Sequence, residues 1–315
     1  MTLNIRLRTP ADYPRLAEIE SEAWGEPVTS ARLEEIEARR LKSMPYLALV
    51  AELDGLVVGR AYAGRSLMKH EQDLYAKVFV HPDYRHRGIA TALFQALRPF
   101  YAEHEHRRIT GTVEDSQAEA IRWAERQGFR KSHHLFTSKL DLESFDDTPF
   151  REHVERVKAG GIRFVSYAEL QSPAAERKFF ELFNSYGDDV PDASEWRLVT
   201  YDEWRQWAVA SKDYWPEGWL VALDEAGEWA GYTMMTRDHA RPQHSHIFLT
   251  GVTQSYRGRG LGLALKVVAA QRARELDIAE VTTMNHSRNA PMLAINQRLG
   301  YVPLPGYYRL VNEAE

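Results

Sequence analysis

A chain of 315 residues has room for about two domains, and its 44% hydrophobic and 27% charged content is that of an ordinary globular protein. A net charge of −5 argues against a dedicated nucleic-acid binder, and the absence of cysteine excludes disulfides, thiolate metal sites and a cysteine nucleophile. With no apolar run near the roughly 18 residues of a membrane span and no signal-peptide core from Met1 to Arg8, a soluble, cytoplasmic protein without nucleic-acid or membrane partners is expected.

Ile5-Arg6-Leu7-Arg8 alternates as a strand does, and Thr9-Pro10-Ala11-Asp12 starts a helix expected to run through Ile19. Tyr46 to Glu52 and Val57 to Tyr62 flank Asp54-Gly55, the signature of an antiparallel hairpin. Ala76 to Val80 reads as a strand, followed after a turn by a helix from Thr91 to about Tyr101. Arg108 to Val113 is a further strand, and a helix from about Gln117 to Gln127 stops at Gly128. The acidic stretch Asp141 to Pro149 reads as a linker, and a short helix from Phe150 to Lys158 ends at Gly160-Gly161.

The second half repeats this order. Gly161 to Val165 opens it, Leu220 to Leu223 and Glu228 to Tyr232 form its hairpin, and Ile247 to Val252 is the strand before its turn. A helix from Leu263 to about Glu275, a strand from Val281 to Met284 and a helix from about Ala290 to Leu299 follow. Arg6 to Gly88 spans 82 positions and Arg163 to Gly260 spans 97, so the second half carries fifteen more residues, placed in the Trp-rich region from Asp188 to Trp219. The expected division is an N-terminal domain over 1–143, a linker and short helix over 144–160, and a C-terminal domain over 161–315.

His81-Pro82-Asp83-Tyr84-Arg85-His86-Arg87-Gly88-Ile89-Ala90 is answered by Thr253-Gln254-Ser255-Tyr256-Arg257-Gly258-Arg259-Gly260-Leu261-Gly262. Each stretch joins a strand to a helix. Gly128-Phe129 and Gly300-Tyr301 each stand 40 residues beyond the corresponding glycine, and a two-part pattern at equal spacing marks an internal duplication. Small residues let the backbone approach a ligand. The N–H groups and dipole of a helix start suit an anionic pyrophosphate, and the arginines add positive charge. A Walker loop would need Gly-Lys-Ser/Thr, and a dinucleotide fingerprint would need Gly-x-Gly-x-x-Gly in a βαβ unit; neither is present.

Val-x-x-x-x-Arg-x-x-Gly-x-Ala/Gly after a strand, with a helix ending in Gly-Phe/Tyr downstream, resembles the GNAT superfamily of N-acetyltransferases over nearly the whole chain, as two copies. The second copy is the closer, with Thr250-Gly251-Val252, Arg257 to Gly262, Asn285, Asn289 and Asn296 to Tyr301. The resemblance implies an α/β fold of two tandem domains, each a mixed, twisted sheet splayed at its centre with helices on both faces. It also implies acetyl-CoA as acetyl donor, no metal, and direct transfer to an amine. Val78, Phe79 and Val80, with Thr250, Gly251 and Val252, would then pair with the pantetheine arm. His86, Arg87, Gly88, Ile89, Ala90 and Thr91 would meet the pyrophosphate in one copy. Arg257, Gly258, Arg259, Gly260, Leu261, Gly262 and Leu263 would do so in the other, with Asn289 beside the cofactor.

Direct transfer needs a base, because an alkyl ammonium with a pKa of about 10 cannot attack. It needs a donor for the tetrahedral oxyanion, which in this family is a strand N–H, and an acid can protonate the leaving thiolate. Superfamily members carry a Glu or His base six residues before the Val that stands five before the Arg. That position is His246 in the second copy and Leu74 in the first. Strand alternation would put His246, Phe248, Thr250 and Val252 on one face. The bland alternative is that His239, His244 and His246 form a polar strand edge; as a metal site they lack a carboxylate or cysteine at a familiar spacing.

The family's acid, a Tyr four residues before the Gly of Gly-Phe/Tyr, is replaced by Ala124 and Asn296, which leaves the acid unassigned. Asp188 and Asp189 fall where the family's acceptor loop lies and would hold an ammonium group, the alternative being a solvated turn. Trp196, Trp204, Trp207, Trp215 and Trp219 either wall the acceptor pocket or form the core of an enlarged lobe, and Glu114 or Asp115 is an alternative base in the first copy.

The expected function is acetyl-CoA-dependent N-acetylation of a small primary amine, mainly by the C-terminal domain. The open alternatives are two active domains, a longer acyl-CoA donor, a non-catalytic N-terminal module that binds acetyl-CoA, and a peptide N-terminus as acceptor. The tandem copies can act as an internal pseudo-dimer, which favours a monomer.

Overall fold

The computed structural model describes residues 2–24, 27–38, 40, 42–66, 70–185, 191, 198–211, 213–239 and 241–313. Its first half runs β1 (Leu3–Leu7), α1 (Tyr13–Trp24), α2 (Ser30–Ala38), β2 (Tyr46–Leu53), β3 (Leu56–Gly64), β4 (Asp73–Val80), α3 (Ile89–Ala96), α4 (Arg98–Glu103), β5 (Arg108–Glu114), α5 (Ala118–Arg126) and β6 (Arg130–Asp141). After α6 (Thr148–Ala159) come β7 (Arg163–Ser166), α7 (Tyr167–Leu170), α8 (Pro173–Ser185), α9 (Tyr201–Trp204), β8 (Leu220–Leu223), β9 (Trp229–Arg237) and β10 (His244–Val252). α10 (Leu261–Glu275), β11 (Glu280–His286), α11 (Ala290–Arg298) and β12 (Val302–Glu313) close the chain.

Local chemistry accounts for where these elements start and stop. Thr9 and Asp12 exchange side-chain and backbone hydrogen bonds around Pro10, and the helix that follows continues to Trp24 rather than Ile19. The single helix expected from Thr91 to Tyr101 is two, α3 and α4. The break falls at Arg98-Pro99, where proline lacks the N–H that would continue the ladder. Both post-turn helices begin directly after Gly88 and Gly260, two residues earlier than their apolar periodicity suggests.

Among the described residues twelve strands form one sheet, in the order β1-β2-β3-β4-β5-β12-β6-β11-β10-β9-β8-β7. The order reads as two similar halves meeting at the antiparallel β12–β6 pair. Each half ends on a strand inserted beside the other's fifth: β12 pairs β5, and β6 pairs β11. Helices cover both faces. α3 packs through Leu93, Phe94 and Leu97 on one side of the first half, and α1 packs through Leu16 and Ile19 on the other. In the second half, α6 and α10 bury Phe150, Val154, Leu265 and Ala269 on one face, while an aromatic lobe with Phe179, Trp204, Trp219 and Tyr232 covers the other. Trp204 and Trp219 are fully buried, so these two belong to core.

Both halves are splayed at corresponding points. The parallel β4–β5 ladder stops at Tyr75↔Thr110, and the β10–β11 ladder stops at Ile247↔Thr283. Beyond these, Val78–Val80 and Thr250–Val252 stay paired on one edge only, to β3 and β9. Two wedge-shaped clefts result, each running from the end of a ladder up to a glycine-bearing turn.

Candidate functional site

Each cleft is capped by its turn. Gly88 (φ 75°) and Gly260 (φ 77°) are left-handed helix caps, a conformation that glycine adopts without steric cost. The first N–H groups of α3 and α10 have no partner within their helices and face the cleft mouth as anion donors. The motif arginines brace the turn: Nε of Arg85 donates to the Val80 carbonyl at 3.3 Å, and Nε of Arg257 donates to the Val252 carbonyl at 3.0 Å. Arg87 and Arg259 lie over the Tyr84 and Tyr256 rings, 5.2 and 5.4 Å from the centroids. His86 occupies the left-handed region (φ 60°) that Gly258 (φ 74°) occupies in the second turn.

In the first half the cleft is a cavity of about 860 Å³. Val78, Phe79, Val80, His86, Gly88, Ile89, Ala90 and Thr91 line it, together with Arg85, Gly111 to Glu114 and Trp123. Arg87 is turned away, its guanidinium donating to the Asp83 carbonyl at 3.1 Å. The floor is apolar, made of Phe94, Val113, Ala124 and Leu310. Trp123 is fixed by donating to Thr91 Oγ1 at 3.1 Å. The volume is in the range of small-molecule sites, and the cavity lies in the half expected to be the less active.

The two halves are 172 positions apart, as Gly88 and Gly260 are, and the equivalents of that floor are polar. Lys266 stands for Phe94, Asn285 for Val113 and Asn296 for Ala124, while Ser138 of β6 takes the place of Leu310 of β12. Lys266 donates to Asn296 Oδ1, Asn296 donates to Asn285 Oδ1 at 2.6 Å, and Asn285 donates to Ser138 Oγ at 2.8 Å. All four are buried. Burial pushes the Lys266 ammonium down to about 7. Asn289 caps α11, accepting from the Met292 N–H at 3.4 Å.

His246 stands at the root of the second cleft, half-buried, with Nδ1 3.0 Å from Thr282 Oγ1. Two expectations about it are corrected. β10 carries a bulge at Phe248, between Ile247 and Leu249, so alternation breaks there. His246 opposes Thr236 and Thr250 opposes Thr233, three apart on β9, which puts His246 on the opposite face from Thr250 and Val252. It shares the face of the aromatic lobe. The bulge also means that Leu74 is not its counterpart. His246 sits between Thr236 and Thr282, and the equivalents of these, Gly64 and Thr110, flank Tyr75.

Burial, then the His244 and Lys266 charges, push the His246 imidazole down to about 4. It is therefore neutral at physiological pH, able to accept a proton but a weak base.

Asp188, Asp189 and Trp196 lie outside the described residues. Asp115 accepts from the Gly306 N–H and is 2.9 Å from His134 Nε2, so it is held as a structural link between the halves. Glu114 accepts from Gln117 at 3.0 Å and lines the first cavity. Sequence reasoning missed one buried ion pair and two lysines. Glu20 and Arg60 form a buried ion pair on the α1 face, and Lys77 donates to Thr112 Oγ1 in the first cleft, where burial and then Arg309 push it down to about 8. Lys266 is the second of the lysines; a lone lysine in the apolar run Leu261 to Ala270 was the available signal. Among the described residues no cluster of three or more His, Asp or Glu is arranged to hold a metal ion, and no helix is long and apolar enough to cross a membrane.

The family model described as Acetyltransferase (GNAT) family matches residues 13–129 and again residues 177–301. The tandem arrangement is also similar to that of mycothiol synthase, and relatives agree. A mycothiol acetyltransferase from Nocardia farcinica is 28% identical over 262 residues, 81% of this chain and 79% of the relative. One from a Parafrankia species is 25% identical over 277 residues, 80% and 79% of the two chains. Among solved structures, a GCN5-related N-acetyltransferase from Sphaerobacter thermophilus superposes with a TM-score of 0.76 at 20% identity, covering 99% of this chain and 95% of its own. A tandem GNAT protein from the clavulanic acid biosynthesis pathway gives 0.76 at 21% identity, covering 100% and 99%. Both share the fold.

Proposed function

The chain belongs to the acetyltransferase (GNAT) family, and from that premise we propose that it transfers acetyl from acetyl-CoA to a small primary amine, with the chemistry in the C-terminal domain (161–315). The observation that carries this assignment is the pair of ionisable groups at the second cleft, His246 and Lys266, where the first has Tyr75 and Phe94. Both clefts fit coenzyme A. Each offers a strand with one unpaired edge for the amide-bearing arm and a helix start for the pyrophosphate. In the second cleft, Thr250, Gly251 and Val252 would line the arm, and the N–H groups from Leu261 to Leu263 would meet the phosphates. His246, neutral, takes the proton that the amine nitrogen sheds as it bonds to the acetyl carbon, directly or through a water. The first half, with its apolar floor, acts as a seat for acetyl-CoA and as structure.

The amine acetylated by mycothiol acetyltransferases is the first acceptor to test, since two such enzymes resemble this chain over most of its length; polyamines, aminoglycosides, amino sugars and short peptides follow. Paired substitutions at equivalent helix starts, Ala90→Glu and Gly262→Glu, place a negative charge in one pyrophosphate seat at a time. Gly262→Glu is expected to abolish acetylation, while Ala90→Glu removes one equivalent of coenzyme A binding in calorimetry and leaves turnover within about threefold. Loss of turnover from Ala90→Glu alone would move the chemistry to the first half.

A further inference from the structure

Lys266 is an unusual residue to find where it is. It is 1% exposed, on the second turn of α10, with no carboxylate within 4 Å among the described residues. Lysine is almost never fully buried without a charged partner, and its ammonium has three protons to place. One goes to Asn296 Oδ1, and the charge lies 4.6 Å over the Tyr301 ring. The fold does not require it, because the equivalent position in the same chain is Phe94, on an apolar floor under an open cavity.

Its direction is set by its neighbours. Gly262, one helical turn earlier on the same face, looks toward the Val252 side chain and Ile295. Lys266 therefore lies about 6 Å deeper along that face, between the one-edged strand and α11. The titratable groups that face it are the Tyr301 phenol and, across the cleft root, the His246 imidazole, whose protonation its charge opposes. α6 brings His153 only as far as Gly260.

We propose that Lys266 is the acid of this site, giving its proton to the coenzyme A sulfur as the carbon–sulfur bond breaks. The proposal rests on the second half being the catalytic one. The amine nitrogen forms its bond to the acetyl carbonyl carbon, and the electrons of the carbon–sulfur bond pass to sulfur. Sulfur takes a proton from the Lys266 ammonium, while the proton lost by nitrogen goes to His246 or water. Lys266 is left as the neutral amine that its burial favours, and it regains a proton from solvent when coenzyme A departs. Asn296, itself held through Asn285 and Ser138, keeps the lysine in place in both protonation states, since an amide oxygen accepts from either. The depressed pKa, near that of a thiol, suits the exchange.

The test uses coenzyme A itself, in full-length protein carrying Ala90→Glu so that only the second cleft is open. Thiol ionisation of the bound coenzyme is followed by thiolate absorbance across pH, with and without Lys266→Met. The ammonium is expected to raise the bound thiol's ionisation constant at least tenfold relative to the methionine variant, with coenzyme affinity within about threefold. Turnover on the amine of mycothiol acetyltransferases should fall on the order of 10²-fold and lose its alkaline limb, and Lys266→Arg, which keeps the charge but cannot give up a proton, should restore the thiol's ionisation constant without restoring the rate. Thermal melting verifies the fold of each variant. Identical thiol titrations with and without Lys266 would overturn the proposal. If the Ala90→Glu protein binds no coenzyme A, or if Gly262→Glu keeps full turnover, the assignment of chemistry to the second half fails instead.

Discussion

His153 Nε2 donates to the carbonyl of Gly260 at 2.9 Å, tying the helix between the halves to the residue that starts α10. A Cβ added at Gly260 would run into the His153 ring, whereas one at Gly88 would meet open space, although both backbones are left-handed. Gly88→Ala is therefore expected to cost about 1–2 kcal/mol through strain alone. Gly260→Ala should cost more, and the excess should vanish in a His153→Ala background. Denaturant melts in a double-mutant cycle measure this coupling, and equal costs at the two glycines would refute it.

His246→Ala should lower turnover by roughly 10²–10⁴-fold while leaving acetyl-CoA affinity nearly unchanged. Its pH signature differs from that of an ordinary imidazole. With the folded pKa pushed down to about 4, the neutral form persists until acid, so the limb due to His246 falls near pH 4 rather than 6.5. Above that pH the rate follows the amine and Lys266. A limb centred at 6.5 that disappears in the alanine variant would show that the burial of His246 is relieved in the working complex.

Lys266 also makes a thermodynamic prediction. Its pKa is about 7 in the folded protein against 10.5 for a lysine in water, so the unfolded chain binds more protons between these values. Stability contributed through this group therefore rises with pH across that window, and the full penalty is present below pH 7. Lys266→Met should be more stable than the parent at neutral pH, with the difference shrinking as pH rises toward the lysine's ordinary value. A difference that does not change with pH would contradict a buried, depressed lysine.

Leu310 belongs to the last strand of the chain yet forms part of the floor of the first cavity. Leu310→Ala should cost about 2–5 kcal/mol, as large-to-small core changes do, and should weaken coenzyme A binding at the first seat. Calorimetry in the Gly262→Glu background isolates that seat. Unchanged affinity would separate the floor from the binding surface.

Much of the fold was legible because its signals are local. The turns, the strands before them and the helices they open follow from residue types at short spacing, while the single paired edge of Val78–Val80 and Thr250–Val252 is what the family resemblance implied. What escaped is non-local or non-periodic. Spacing counts residues, and a bulge consumes one without advancing the ladder, so counting six back from Val252 found His246 but paired it with Leu74 instead of Tyr75. The strands β6 and β12 carry mixed polar sequences, and their partners lie in the other half. The Lys266–Asn296–Asn285–Ser138 chain joins four separate elements, and only the misplaced lysine signalled it.

The exchange of closing strands has a consequence for synthesis. β5 acquires its second neighbour only from residues 302–313, which emerge from the ribosome long after β6. The first half must therefore wait with an open sheet edge for as long as the residues between β6 and the end of β12 take to be translated. At about 5–20 residues per second, the roughly 170 residues after β6 leave that edge exposed for about 10–30 s. A nascent chain in this state is a candidate for pairing with the same edge of a neighbouring copy, so slow translation or truncation near the C-terminus should convert an intramolecular exchange into an intermolecular one.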